Sequence, residues 1–111
     1  MASFESRDEE SDERLRPMRV AVRREDVYSE AKDMAADLGW TLVRADDAAL
    51  ELVCERAGGL LRAPARITVK VDGPDGLPSA TVTVRSESSG WNARDKDNVR
   101  AFLDPFRRRV G

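Results

Sequence analysis

The 111-residue sequence predicts an α+β domain: a two-layer structure in which an antiparallel sheet of about five strands carries two helices on one face, in the order β-α-β-β-β-β-α. Three observations carry this. Five stretches alternate apolar and polar residues with the period of two of a half-buried strand, and two stretches place apolar residues at helical spacing. The connections between the later strands are short, which favours antiparallel neighbours. Two amphipathic helices need an apolar surface to cover, and one face of one sheet supplies it.

Residues 2–16 hold six acids and three arginines and, beyond Phe4 and Leu15, nothing to bury. Ordering a backbone residue costs about 1–2 kcal/mol. Composition therefore assigns 1–16 to a disordered acidic tail and 17–111 to a single domain. In that domain Met18, Val20 and Val22 alternate with Arg19, Ala21 and Arg23, a first strand. Val27, Ala31, Met34, Ala35 and Leu38 then follow a helical period over about 25–38. Glu25 and Asp26 sit where the first turn favours anions, and Gly39 is a natural helix stop. The run from Trp40 to Arg44 reads as a second strand, Asp46-Asp47 as a turn, and Leu50, Leu52 and Cys54 as the inward positions of a third strand.

After a loop with Gly58-Gly59 and Pro64, Ile67, Val69 and Val71 mark a fourth strand. The dense turn signal Asp72-Gly73-Pro74-Asp75-Gly76 leads to a fifth, with Val82 and Val84 inward, reaching about Glu87. Val99, Phe102, Leu103, Phe106 and Val110 form the stripe of a closing helix, with Asn92 or Asp95 as its N-cap. Pro105 lies inside that stripe and predicts a kink or a restart capped by Asp104. The alternation assigns Val20, Val22, Trp40, Leu42, Leu50, Leu52, Cys54, Ile67, Val69, Val71, Val82 and Val84 to the covered face. Arg19, Arg23, Thr41, Val43, Glu51, Glu55, Thr68, Lys70, Thr81, Thr83 and Arg85 fall on a wet opposite face.

Composition narrows the chemistry. Without histidine, imidazole acid–base catalysis, His-based triads and His-ligated metals are excluded, and the single cysteine excludes a disulfide framework within the chain. The net charge of -2 argues against a strongly basic nucleic-acid binder. No apolar run reaches the roughly 18 residues of a membrane span. The opening residues lack a basic start followed by an apolar stretch, and Cys54 has no pairing partner, so the sequence reads as cytoplasmic.

The remaining motifs have bland explanations. Cys54 is in phase with Leu50 and Leu52 and reads as an inert core thiol. Ser29-x-x-Lys32 matches an acyl-enzyme spacing, but its companion elements are missing. Asp46-Asp47 and Asp72-x-x-Asp75 are explained by turn chemistry, since neither has the ligand count of a calcium loop. Arg107-Arg108-Arg109 complements the C-terminal end of a helix dipole. The richest segment is 85–94. There Arg85, Ser86, Ser88, Trp91, Asn92 and Arg94 are candidate ligand- or partner-binding residues: hydroxyls, guanidinium groups and the amides of a helix start are expected to converge where an anion is held. No residue pattern calls for a cofactor or a metal.

Leu38-Gly39-Trp40, Asp46, the segment Arg85-Ser86-x-Ser88 and the closing Val99-Arg100-Ala101-Phe102-Leu103 together resemble the domain-of-unknown-function family numbered 1499, small and mostly bacterial proteins. Asp95 and Asn98 echo part of an Asp-x-Gly-x-Asn segment of that family. The resemblance spans residues 27–110; it implies architecture rather than activity.

The function expected from these readings is a non-enzymatic binding or protein-interaction module, working through the open sheet face or through 85–94. A protein partner or a homodimer formed through a face or an edge fits this reading. The alternative is a carrier of a small apolar ligand or lipid, with a pocket between sheet and closing helix lined by Trp40, Leu60, Leu61, Phe102 and Phe106. An enzyme built on carboxylates and arginines is disfavoured, because strong acid–base groups are missing.

Overall fold

The computed structural model describes residues 2–5, 17–57, 64–88 and 95–110. They form β1 (Ala2–Glu5), β2 (Met18–Val20), α1 (Arg24–Asp37), β3 (Thr41–Asp46), β4 (Glu51–Arg56), β5 (Ala65–Asp72), β6 (Ala80–Ser88) and α2 (Asp95–Val110). All strand pairings are antiparallel, and the sheet runs β1-β6-β5-β4-β3 with β2 also on β6. The α+β architecture and the later order of elements are those predicted.

β1 is the addition. Composition placed its residues in an acidic tail, yet Ala2 pairs with Ser88 and Glu5 with Arg85. Backbone pairing to an open strand edge does not depend on what a side chain can bury, so composition does not reveal it. The rest of the expected tail, 6–16, lies outside the described residues. β1 and β2 share one edge of β6: β2 takes its beginning, Met18 opposite Val82, and β1 takes its end. The first predicted strand is thereby shortened to three residues, with Met18 buried and Val20 and Val22 only partly so.

α1 buries Val27, Tyr28, Ala31, Met34 and Ala35. It ends as Gly39 predicted. Gly39 adopts φ 76°, its N–H donates to the Ala36 carbonyl at 3.0 Å, and the Trp40 N–H reaches back to the Ala35 carbonyl at 3.0 Å. This paired closure satisfies carbonyls that a helix end otherwise leaves open. At the other end Arg24 donates to the Gly73 carbonyl at 2.9 Å and pairs with Asp75, tying α1 to the β5–β6 turn. A Cβ at Gly73 would run into the Ser79 carbonyl oxygen, so this turn needs glycine there.

α2 is one helix across Pro105, so of the kink or restart expected there the restart does not occur. Proline removes one N–H, whose helical acceptor would be the carbonyl four residues back at Ala101. Ala101 is exposed, so water can serve that carbonyl without a break. α2 and α1 meet through Arg109, which lies 3.2 Å from Glu30 and 2.6 Å from Asp37. The arginine cluster therefore contributes a cross-helix clamp as well as a dipole complement.

Between helices and sheet lies a core of Leu52, Cys54, Ile67, Val69, Val71, Val82, Val84, Val99, Phe102, Leu103 and Phe106, each 0–1% exposed. Leu42 departs from its predicted burial. It pairs with Cys54 and so shares the covered side, but at 49% exposure it lies beyond the reach of the helices on the last strand.

Candidate functional site

Strand alternation divides the predicted site. Ser86 and Ser88 are buried on the helix side of β6, whereas Arg85 is exposed on the open face and bonds Glu87 at 2.9 Å. The hydroxyls and this guanidinium therefore do not converge on a common ligand. Trp91, Asn92 and Arg94 lie outside the described residues.

Ser86 is joined to α2 by a residue outside the predicted set. Asn98 of α2 is 1% exposed, and its amide nitrogen donates to the Ser86 hydroxyl at 3.0 Å. Its carbonyl oxygen Oδ1 is buried and has no donor among the described residues. The signal was present: Asn98 stands four residues before Phe102, on the apolar stripe, and a polar residue at a core position needs a partner. Ser86 in turn lies in a row across the sheet that runs from Phe4 through Ser86, Ile67 and Cys54 to Leu42. A polar group thus stands within an otherwise apolar row near the end of β6.

The open face is a lattice of both signs. Arg44 meets Glu51 at 3.1 Å and Arg66 meets Glu55 at 3.1 Å, each across neighbouring strands. Exposed pairs of this kind contribute about 0–1 kcal/mol each. The short side chains of Thr68 and Thr83 leave a trough of about 410 Å³ between Lys70, Arg85, Glu51 and Glu87. A second cleft, about 480 Å³, opens at the end of the sheet among Thr41, Arg56, Pro64, Ala65 and Ser88.

Three of the residues expected to line an apolar pocket pack on one another. Trp40 stacks on Phe102 at 6.0 Å, and Phe102 packs on Phe106 at 5.0 Å, with both phenylalanines fully buried. Leu60 and Leu61 lie outside the described residues. Cys54 is buried among apolar neighbours, and burial pushes its thiol up to about 11. The neutral thiol is a poor nucleophile. Ser29 is exposed, while the Lys32 ammonium lies over the Tyr28 ring at 4.8 Å and 3.5 Å from Asp47. The Asp46 carboxylate accepts the Ala49 N–H at 3.1 Å, turn chemistry as the sequence predicts. Among the described residues no three His, Cys, Asp or Glu side chains are grouped to hold a metal ion, and no helix is long and apolar enough to cross a membrane.

Comparison with protein-family models and with curated proteins yields no match to this chain.

Proposed function

We propose that this protein is a non-enzymatic interaction module that pairs with a second copy of itself along the β3 edge of the sheet. The observation that carries the reading is the exposure of β3: all six of its residues are exposed, and the successive residues Leu42 and Val43 each stand about half in solvent. An edge strand presents unpaired N–H and C=O groups to any chain that can align with them. The irregularity between Leu42 and Arg44 and the charges of Arg44 and Asp46 restrict which strand fits.

Other features support this reading over its competitors. The Phe102, Phe106 and Trp40 packing argues against the apolar carrier, and the raised Cys54 thiol and lack of histidine argue against an enzyme. Alternating signs on the open face give nucleic acid no continuous cationic track. The unpaired Cys54 supports a cytoplasmic location. Gly39-Trp40 and Arg85-Ser86-Glu87-Ser88 support placing the chain as a divergent member of the family numbered 1499, whose architecture it would then share.

Light scattering over a micromolar-to-millimolar concentration series tests the proposal. The expected result is a mass that rises toward the dimer, and a Leu42→Glu/Val43→Glu chain that remains monomeric throughout. Both side chains are exposed, so the variant keeps its core. A wild-type chain that is monomeric at every concentration overturns the β3 pairing.

A further inference from the structure

The opposite edge of the sheet carries a different arrangement. Glu5 pairs with Arg85 and Met18 with Val82, three steps along β6 against thirteen along the incoming chain. The ends of the connecting segment are thus held about 10 Å apart, while a dozen residues can span about 40 Å. β1 can therefore leave the edge without pulling β2 from its place. It pairs with β6 over four residues, against eight between β5 and β6.

Packed against the strand that β1 pairs with, α2 carries a buried polar side chain. Asn98, 1% exposed, gives its N–H to Ser86 and, among the described residues, keeps a buried Oδ1 with no donor. A buried acceptor left unmatched carries its full desolvation cost. β1 places Phe4 opposite Ser86, and phenylalanine has no group to donate. Residues directly opposite one another on a sheet share a face, so a residue at this register position stands beside Ser86, the acceptor of the Asn98 N–H.

We infer that the outer edge of β6 from Arg85 to Ser88 recognises an extended segment of another protein, which displaces β1 and carries a hydroxyl side chain opposite Ser86. β1 is the resident competitor: pairing in cis, it sets the affinity an outside strand must exceed. Main-chain hydrogen bonds supply the common part of the affinity and the residue opposite Ser86 supplies the selectivity. The inference stands on β6 and α2 and does not require pairing through β3.

The test uses the full chain and two synthetic octapeptides of its residues 1–8, one with Phe4→Thr and one with Phe4→Val. Threonine and valine have nearly the same shape and differ by the donor. Binding is read by NMR from the backbone amides of 85–88 and the side-chain amide of Asn98. The threonine peptide is expected to bind about threefold to tenfold more tightly, the range one added hydrogen bond provides. A Ser3→Pro/Phe4→Pro chain, in which β1 lacks pairing amides, is expected to bind both peptides roughly tenfold more tightly than the wild type does, since the competitor is gone. Equal affinities for the two peptides overturn the role of Asn98, and no shift at 85–88 with either peptide overturns the recognition edge. Both of these readings need only the wild-type chain, so they hold if the proline variant fails to fold.

Discussion

Tyr28 shows how a single buried side chain becomes a measurable property. Its hydroxyl donates to the Glu51 carbonyl oxygen at 3.4 Å. Burial pushes the phenol up to about 12, and the adjacent Asp47 and Asp46 carboxylates add to the shift. The folded state holds the phenol neutral beyond its ordinary value of 10.0, so this contribution to stability is complete below pH 10.0 and is lost as pH rises toward about 12. Tyr28 is the only tyrosine, so ultraviolet titration reads it alone. We expect a midpoint near 12 in the native chain and near 10.0 in denaturant, and a Tyr28→Phe chain that loses less stability across that window. Coincident native and denatured midpoints would contradict the burial argument. The helical stripe read from Val27, Ala31, Met34 and Ala35 passed over Tyr28, although Ala31 and Ala35 lie three and seven residues beyond it on the same side of α1.

Among the elements, the end of α1 was legible because one residue type decides it. Gly39 at φ 76° occupies the left-handed region that a Cβ penalises by about 1–2 kcal/mol. Nothing lies within 4 Å of a Cβ built there, so conformation rather than collision sets the cost. Gly39→Ala is expected to lower the unfolding free energy by about that amount in denaturant titration, and Gly39→Asn by less, since asparagine tolerates this region better. Equal stability of wild type and Gly39→Ala would refute the closure described. β3 was legible as a strand but not in its exposure, because alternation reports which face a residue takes and not how far a helix reaches over it. The continuity of α2 through Pro105 was hidden for a similar reason. Whether water can serve the Ala101 carbonyl depends on which side of the helix faces out.

At the scale of the whole molecule, Cys54 reports on the core. It is 0% exposed in the middle of the sheet, paired with Leu42 on one side and Ile67 on the other, with its thiol raised to about 11. A disulfide reagent at mildly alkaline pH is expected to modify it only through opening of the sheet, so labelling should slow in parallel with any stabilising change and become immediate in denaturant. Rapid labelling of the native chain would show that the core is not closed over β4. This burial was legible from the phase of Leu50, Leu52 and Cys54. The candidate site was legible only in part: Ser86 and Ser88 emerge as a pair under α2, while Arg85 turns to the other face because neighbouring residues of a strand point apart.

The order of amino acids by itself determined the α+β class, the inward face of the central strands, both helices and the α1 stop, because each follows from local periodicity or from one residue's backbone preference. Tertiary structure alone decided that residues 2–5 pair with β6, that Leu42 stays half in solvent, and that Asn98 meets Ser86 with one acceptor unmatched among the described residues. These depend on which distant segments come together and how far each covers the next, and no local pattern in a chain encodes such distances.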